Sequence, residues 1–351
     1  MSAVPKTMKA LVYEAPGELR LAERAMPEIG EEDVLIRVVS CGICGSDVPG
    51  YLGKTGRRIP PMVMGHEFSG IIAGLGAKVK DLTLGQRVTA QPIRFCGKCA
   101  FCKQGKTSLC SDQTMLGVLR TDGAMAEYVK AAAKQIVPLP EDVSFDTAAL
   151  AEPFAVAYSA VLKADVAGRA VAVVGTGTIG LMIVAALRMR GAGRIYAMDL
   201  DEEKRDFALS MGADVVFDPR DGSAFEAMLD ETGGGVDVAF EAVGAAASVD
   251  SAMRSLKKAG TAVWVGNMMP DIQLNMQRVV TRELQIKGNF DYTQQSFAET
   301  VRNMGRFDFS RMIDRVVCLE DAAEVFQKLG SREISSIKTI IHIGGESHEE
   351  V

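Results

Sequence analysis

A strand, a glycine turn and a helix in the middle of the chain constrain its fold more than any other feature. Four apolar residues at 171–174 precede Gly175, Gly177 and Gly180, in the spacing Gly-x-Gly-x-x-Gly, and an apolar run with helical character follows at 181–189. In a dinucleotide-binding unit the first glycine permits a tight turn, the second admits the pyrophosphate, and the third lets the helix pack on the strand. N–H groups at the start of the helix then point at the phosphates. The pattern predicts a dinucleotide site built from Gly175, Gly177, Thr178, Ile179 and Gly180.

The texture of the sequence changes near Asp146, which indicates two domains. Up to about residue 140, short strands such as 8–14 and 33–40 alternate with glycines, as in a compact β-barrel. A helical pattern over 147–162 follows, and strands then alternate with helices, as in a doubly wound parallel sheet. The candidate strands are 171–174, 194–198, 214–217, 236–240, 261–265 and 284–287, with helices at 202–211 and 246–258 and a last strand at 338–343. We therefore expect an α/β chain with a ligand in the cleft between two domains.

Charge and hydropathy exclude several classes of partner. The net charge is −6, which disfavours a nucleic acid as the main partner. No apolar run reaches the roughly 18 residues needed to span a membrane. The first ten residues contain lysines but no apolar segment typical of a secretory signal, so a cytoplasmic enzyme is expected.

Four of the seven cysteines lie within fifteen residues, at Cys96, Cys99, Cys102 and Cys110. Four thiolates at this spacing match a tetrahedral zinc site with no position open for chemistry. An odd number of cysteines without a secretory signal favours metal binding over disulfides. We expect a structural zinc in a lobe at 94–112; scattered buried thiols and a nucleic-acid zinc ribbon are the alternatives.

A second group of metal-competent side chains suggests an open, catalytic site. Cys44 and His66 lie in the β-rich half, and Glu152 begins the helix that leads into the second half. One thiolate, one imidazole and one carboxylate leave a fourth position for water or substrate, as catalytic zinc requires. A single histidine with a purely structural role is the alternative.

Taken in order, these motifs resemble the zinc-dependent medium-chain alcohol and polyol dehydrogenases over essentially the whole chain. The matching segments are Cys-Gly-Ile-Cys-Gly-Ser-Asp at 41–47, Gly-His-Glu-Phe-Ser-Gly at 65–70, the four-cysteine lobe, Glu152-Pro153 and the glycine turn. The resemblance is to the sorbitol and galactitol-phosphate dehydrogenase branch. It implies a GroES-like catalytic domain at 1–152 and 289–351, a Rossmann domain at 153–288, and a homodimer or homotetramer. It also implies two zinc ions per chain and hydride transfer to NAD from a zinc-bound alkoxide, which oxidises a secondary alcohol to a ketone.

The same resemblance assigns roles around the catalytic zinc. It implies that Cys44, rather than Cys41, and His66 are ligands. Glu67 and Glu152 are the carboxylates, one bound directly and the other transiently or through water. With a glutamate at position 152, the chain resembles sorbitol, threonine and butanediol dehydrogenases at this position.

Ser46 resembles the first member of the family's proton relay, with a simple turn residue as the alternative. Many relatives place a histidine three residues further on, where this chain has Pro49. A water chain or the nicotinamide ribose would then carry the proton.

Cofactor preference is indicated by Asp199, which ends the second strand of the sheet 24 residues after Gly175. A carboxylate there accepts hydrogen bonds from the adenosine ribose and repels a 2′-phosphate, so NAD is expected over NADP. The resemblance implies a ribose contact from Lys204 and a pyrophosphate contact from Lys338; an exposed strand lysine is the alternative for Lys338. The residues implied to line the nicotinamide are Val265, Gly266, Asn267, Asn289 and Phe290.

The substrate is predicted only as a class. Asp291, followed by Tyr292, stands where sorbitol dehydrogenase-like sequences carry an arginine. An aspartate there favours hydroxyl or ammonium groups, so a free, phosphorylated or amino-substituted polyol is expected. Arg57 and Arg58 are candidates for a phosphate, or else a solvated pair. Two alternatives are a threonine- or butanediol-type dehydrogenase, and a zinc-free, NADP-binding relative of the quinone reductases, which typically lacks the zinc ligands.

Overall fold

The computed structural model describes residues 5–344. Its strands are β1 (Thr7–Ala15), β2 (Glu18–Ala25), β3 (Asp33–Ile43), β4 (Met62–Val63), β5 (Glu67–Leu75), β6 (Arg87–Ala90), β7 (Ile93–Arg94), β8 (Thr114–Leu116), β9 (Arg120–Thr121), β10 (Tyr128–Ala132), β11 (Ile136–Pro138), β12 (Val171–Val174), β13 (Ile195–Met198), β14 (Val215–Phe217), β15 (Val236–Glu241), β16 (Leu256–Trp264), β17 (Gln285–Gly288), β18 (Ile313–Cys318) and β19 (Lys338–His342). Its helices are α1 (Asp47–Tyr51), α2 (Ala100–Lys103), α3 (Phe145–Ala149), α4 (Ala151–Val161), α5 (Thr178–Met189), α6 (Glu202–Ser210), α7 (Gly222–Glu231), α8 (Ala246–Ser255), α9 (Met276–Thr281), α10 (Gln294–Asn303) and α11 (Ala322–Gly330).

Residue contacts divide the chain into two units. The first unit is Met1–Glu152 together with Thr293–Val351, and the second is Pro153–Tyr292. Within the first, β11-β6-β5-β3-β19-β18 form a sheet in that order, with β10 also paired to β3. The sheets β2-β1-β4 and β7-β8-β9 complete its described strands. Because β19 pairs antiparallel with β3, the last described strand is built into the same unit as the first strands.

The centre of the first unit is β3, which is buried along most of its length. Its register with β5 places Gly42 opposite Glu67 and Cys41 opposite Phe68. Apolar residues of both strands, among them Ile36 and Phe68, belong to one buried cluster. The end of β3 and the start of β5 are therefore neighbours, which brings the segments carrying Cys44 and His66 together.

The second unit contains a parallel sheet in the order β14-β13-β12-β15-β16-β17. The four residues of β12 are all apolar and buried, as expected for a strand covered on both faces. Chain order reverses between β12 and β15, and such reversal points are where doubly wound sheets bind ligands. The predicted doubly wound sheet is confirmed.

Two element boundaries differ from the predictions. The predicted helix 246–258 ends at Ser255, because β16 already begins at Leu256, which is buried and pairs with Val236. The predicted helix 147–162 is two helices, α3 and α4. Pro153 lacks an N–H group and is tolerated only in the first turn of a helix, so a new helix begins at Ala151 and Glu152 lies in its first turn.

Across the described residues, no helix is both long and apolar enough to cross a bilayer.

Candidate active site

The four cysteines of the 94–112 lobe converge on one point. Their sulfur atoms all lie within 4.8 Å of one another, and Cys96 Sγ is 4.0 Å from Cys102 Sγ. A tetrahedral zinc site with Zn–S bonds of about 2.3 Å holds its sulfurs about 3.8 Å apart. All four thiols are free of disulfides. The donor set therefore fits a structural zinc ion.

Backbone N–H groups point at the sulfurs of this lobe. Cys99 N–H donates to Cys96 Sγ at 3.4 Å, Cys102 N–H to Cys99 Sγ at 3.5 Å, and Cys96 N–H to Cys110 Sγ at 3.4 Å. The bond from Cys102 N–H lowers the pKa of Cys99 to about 6, whereas desolvation raises the pKa of Cys102 to about 12. The protein alone does not stabilise four thiolates equally, and a divalent cation would supply the missing charge.

A second convergence joins Cys44, His66 and Glu67, whose candidate ligand atoms also lie within 4.8 Å of one another. Gly42 makes room for Glu67, since a Cβ atom on Gly42 would lie 2.4 Å from Glu67 Oε2. Glu67 Oε1 is buried and has no hydrogen-bond partner among residues 5–344. Cys41 is buried beside Gly65 and is not part of the group. A thiolate, an imidazole and a carboxylate with an unused oxygen fit a zinc ion with one open position.

Lys338 lies at this centre, which sequence reasoning missed. Its Nζ donates to Glu67 Oε2 at 2.6 Å and approaches the carbonyl of Ile43 at 3.3 Å, and both charged side chains are almost fully buried. Burial disfavours the charged ammonium, but the negative charges of Glu67, Cys44 and Glu152 together outweigh it and raise the pKa of Lys338. The alternative of an exposed lysine is therefore wrong, because the ammonium is buried on Glu67; the predicted pyrophosphate contact stays a prediction.

Arg58 is buried as well, and it organises the loop that carries Cys44. Its Nη2 donates to Asp47 Oδ1 at 2.5 Å and to Ser46 Oγ at 3.3 Å. Asp47 Oδ2 accepts the Cys44 N–H at 2.9 Å, and Asp47 Oδ1 lies 3.6 Å from His66 Nδ1. A Cβ atom on Gly50 would lie 2.5 Å from Arg58 Cδ, so glycine is needed there. Arg58 thus ties two metal-ligand segments together and is neither solvated nor presented to a phosphate.

Ser46 is exposed and lies beside the candidate ligand sulfur. Its hydroxyl donates to Cys44 Sγ at 3.3 Å, and its N–H points at the same sulfur at 3.4 Å. Although Ser46 precedes α1, its side chain makes no capping bond to that helix. The hydroxyl is therefore placed between the metal centre and solvent.

The charges at the centre leave room for a divalent cation. Glu152 is buried and lies outside the group of three ligand residues, but its charge contributes to the raised pKa of Lys338. Burial, followed by the charges of Glu67 and Asp47, raises the pKa of Cys44 to about 12. With Cys44 ionised, four anionic groups (Cys44, Asp47, Glu67 and Glu152) face two cationic groups (Arg58 and Lys338). One divalent cation would balance them.

The glycine turn in the second unit has the conformation that its spacing predicts. Gly175 has a φ of +90°, and Gly177 precedes the first residue of α5. A Cβ atom on Gly180 would lie 1.8 Å from the carbonyl oxygen of Gly175, so only glycine lets the helix pack this closely. A Cβ atom on Gly177 would meet nothing within 4 Å, which leaves open space over the backbone. This open backbone fits a pyrophosphate.

Asp199 follows β13 and is half-buried next to the glycine turn. Its Oδ2 accepts the Thr176 N–H at 2.8 Å, and its Oδ1 accepts the Asp201 N–H at 3.1 Å. The carboxylate is thus held by backbone of the turn. Lys204 Nζ lies 3.8 Å from Asp201 Oδ2, and its predicted ribose contact stays a prediction.

The residues predicted to meet the nicotinamide and substrate have different surroundings. Asn289 is buried, and its amide bonds to Ser159 Oγ and to the Val156 carbonyl of α4, so it has a structural use. Tyr292 is 1% exposed, and its ring is therefore not available to a substrate. The remaining positions are partly or fully exposed, namely Val265, Gly266, Asn267, Phe290 and Asp291.

Comparisons with known proteins agree with this geometry. The family model described as "Alcohol dehydrogenase GroES-like domain" matches residues 30–141, and "Zinc-binding dehydrogenase" matches residues 178–306. Sorbitol dehydrogenase of Bacillus subtilis (strain 168) is 36% identical over 295 residues, covering 82% of this chain and 84% of the relative. D-xylulose reductase A of Aspergillus oryzae is 32% identical over 355 residues, covering 97% and 99%.

A solved structure shows the same fold. It is that of a putative zinc-binding dehydrogenase from Sinorhizobium meliloti 1021 bound to NADP, with a TM-score of 0.89, 31% identity, and coverage of 96% of this chain and all of that one. The predicted fold class and the resemblance stated from the motifs are confirmed. The chain belongs to the zinc-dependent medium-chain dehydrogenases, which join a GroES-like alcohol dehydrogenase domain to a Rossmann domain.

Proposed function

We propose that this protein oxidises a secondary alcohol of a polyol or sugar alcohol to a ketone, with NAD as hydride acceptor. The observation that carries the proposal is the convergence of Cys44, His66 and Glu67 with the Ser46 hydroxyl beside the sulfur. Relatives named sorbitol dehydrogenase and D-xylulose reductase support the polyol class. The zinc-free alternative is disfavoured because this chain retains a complete set of ligand residues.

Cys44, His66 and Glu67 would hold the catalytic zinc, with Glu152 as the further carboxylate of the site. The choice of Glu67 over Glu152 is supported by the grouping of its oxygen with the other two ligand atoms. The metal would act as a Lewis acid that lowers the pKa of an alcohol hydroxyl. The four cysteines of the lobe would hold a second, structural zinc.

Ser46 would move the proton released from the substrate hydroxyl. Its Oγ accepts a hydrogen bond from Arg58 Nη2 at 3.3 Å, which leaves a lone pair for an incoming proton. Because Ser46 is exposed, its own proton, which is bonded to Cys44 Sγ, would turn to water as the new proton arrives. Pro49 in place of a relay histidine is then no obstacle.

Two other side chains would fix the geometry of this step. Lys338 holds one oxygen of Glu67 and leaves the other for the metal. Arg58 holds Asp47, which accepts the Cys44 N–H and thereby orients the loop that carries the thiolate. Preorganisation of this kind keeps ligands in place while substrate and product exchange.

We propose NAD rather than NADP as the physiological acceptor. A carboxylate at Asp199, held by the Thr176 N–H, repels a 2′-phosphate. The Sinorhizobium meliloti structure contains NADP, so the preference of this chain has to be measured. Asp199→Ser should lower the NAD/NADP preference by at least about tenfold, which corresponds to about 1.4 kcal/mol. Asp201→Ser, whose hydroxyl can still accept the Glu203 N–H at the start of α6, is the matched control, and an unchanged preference in Asp199→Ser would exclude the assignment.

Substrate choice would depend on Asp291. Its φ is +52°, in the left-handed region that few non-glycine residues adopt, and such residues concentrate at functional sites. We propose that the carboxylate accepts a hydrogen bond from a hydroxyl or ammonium group of the substrate. This would favour free or amino-substituted polyols over phosphorylated ones, since a phosphate would be repelled.

The domain limits, assembly and location of the chain are also proposals. The GroES-like part would be 1–152 and 289–351 and the Rossmann part 153–288, whereas residue contacts group 289–292 with the second unit. Residues 1–4 and 345–351 lie outside the described residues. The family resemblance supports a homodimer or homotetramer. Seven cysteines without a disulfide support a location in the cytoplasm. Light scattering of the purified protein would give the assembly directly.

The experiment that tests the function measures NADH formation from a panel of alcohols. The panel contains free, phosphorylated and amino polyols, 2,3-butanediol, threonine and a simple primary alcohol. We expect turnover of polyols that is lost with a zinc chelator and restored by added zinc. Turnover of butanediol or threonine alone would move the assignment to those dehydrogenases, and turnover that ignores the chelator would contradict the zinc-dependent mechanism.

A further inference from the structure

Glu241 is a fully buried carboxylate in the second unit, outside every site described above. It is the last residue of β15, beside the strand that leads into the glycine turn, with Val174 as its partner in register. Its Oε1 accepts the N–H groups of Val243 at 2.9 Å and Gly244 at 2.7 Å. Its main-chain oxygen accepts the N–H of Val265 at 2.9 Å and of the following residue at 3.1 Å. One residue thus holds backbone from two separate turns.

The segment 242–244 lies between the glycine turn at 175–180 and the turn at 265–267. A Cβ atom on Gly175 would lie 2.3 Å from Val243 Cγ2, so the valine packs directly on the first glycine of the dinucleotide turn. A Cβ atom on Gly244 would lie 2.3 Å from Asn267 N, and one on Gly266 would lie 2.1 Å from Gly244 N. The spacing between the glycine turn and the 265–267 turn is therefore set by residues that Glu241 holds.

Stability alone does not account for a carboxylate at this place. Its second oxygen, Oε2, is buried and makes no hydrogen bond to any described residue. An uncompensated buried charge costs free energy, and replacement of buried charges by apolar groups is often neutral or stabilising. What a carboxylate offers that an apolar side chain lacks is two charge-assisted bonds that fix the following turn.

We propose that Glu241 is a positioning residue for the dinucleotide, acting through Val243 and Gly244. It keeps the glycine turn and the 265–267 turn at the separation that lets one cofactor contact both. The proposal rests on the dinucleotide-dependent function proposed above. A Gln side chain retains an Oε1 acceptor for the two N–H groups, whereas Ala removes it.

The test compares cofactor binding by the zinc-loaded enzyme with its thermal stability. NADH and ADP-ribose are titrated by calorimetry against wild type, Glu241→Ala and Glu241→Gln. Asp237→Ala is the matched control, because Asp237 lies on the same strand and its Oδ2 accepts the Ala170 N–H at the opposite end, at 3.1 Å. Val243→Ala leaves the Glu241 carboxylate in place and removes only the valine methyl groups that pack on Gly175.

Glu241→Ala should raise the Kd for NADH at least about tenfold, and the Kd for ADP-ribose by less, since only NADH spans both turns. Glu241→Gln should stay within about threefold of wild type, and Val243→Ala should weaken NADH binding in a chain that folds normally. Asp237→Ala should lower the melting temperature and leave both Kd values unchanged. Unchanged NADH binding in Glu241→Ala and Val243→Ala, or an equal loss in Asp237→Ala, would overturn the inference alone. A wild type that binds neither NADH nor NADPH would overturn the proposed function with it.

Discussion

The buried pair of Lys338 and Glu67 gives a prediction whose size follows from the structure. The two charges lie 2.6 Å apart and are 2% and 0% exposed. At an effective dielectric constant of about 20 their attraction is about 6 kcal/mol, which the desolvation of both groups reduces. Removal of one partner leaves the other as a buried, uncompensated charge, at a typical loss of about 3–5 kcal/mol.

Lys338→Gln should therefore lower the melting temperature of chelator-treated protein by roughly 6–20 °C, since 1 kcal/mol shifts it by about 2–4 °C in units of this size. Added zinc should reduce the loss, because the metal supplies Glu67 with a second positive partner. Burial disfavours the Lys338 ammonium, yet Glu67 raises its pKa, so the contribution is complete below the unfolded pKa and is lost only as pH rises through the folded one. The loss of melting temperature in Lys338→Gln should therefore be constant between about pH 6 and about pH 9.

Scanning calorimetry of a double-mutant cycle completes the test. Glu67→Gln alone should also destabilise the chelated protein, and Lys338→Gln combined with Glu67→Gln should recover most of the loss, since two neutral amides replace the pair. Lys9→Gln is the control, because its ion pair with Glu320 is exposed. Strict additivity of the two single substitutions, or a loss no larger than in Lys9→Gln, would refute the reasoning.

Four further predictions concern the two metal centres and the substrate. Cys99→Ser should reduce zinc from two ions per chain to one by elemental analysis; retention of two would place the second ion elsewhere. Arg58→Lys should lower kcat about tenfold or more and speed zinc loss to a chelator, because the lysine ammonium ends one bond short of Nη2, the atom that bonds both Ser46 and Asp47; wild-type rates of both would contradict the role. Ser46→Ala should lower kcat by about 10²-fold with little change in KM, as for loss of a proton-transfer group; an unchanged kcat would remove Ser46 from the relay. Asp291→Ala should reduce discrimination between free and phosphorylated polyols; equal selectivity before and after would exclude a substrate contact.

Local signals made much of the molecule predictable. The Gly-x-Gly-x-x-Gly spacing reflects steric needs within a few residues, and Gly175 and Gly180 occupy the positions where a Cβ atom is not tolerated. The four-cysteine spacing is similarly local, because a short loop can only bring those sulfurs to one point. The central strands β12 and β13 of the parallel sheet were predictable because all of their residues are apolar and buried.

Features that depend on contacts between distant parts of the chain could not be predicted from the sequence. Lys338 is 271 residues from Glu67, and only the antiparallel pairing of β19 with β3 brings them together. From the sequence Arg58 is expected to be an exposed arginine on a loop, and no adjacent residue indicates that it is buried against Asp47. Residues 256–260 include exposed lysines and alternate poorly, which hid the early start of β16. For Lys338 and Arg58 the cause was the burial of charged groups, which pattern reasoning assigns to the surface.

The central claim is that the Cys44, His66 and Glu67 centre binds a zinc ion needed for NAD-linked alcohol oxidation. The most direct measurement is NADH formation from polyols by Cys44→Ser, with elemental zinc determined on the same sample. We predict one zinc per chain, held by the cysteine lobe, and no polyol turnover, while NADH binding by calorimetry stays as in wild type. Two zinc ions per chain, or turnover at the wild-type rate with one, would contradict the account.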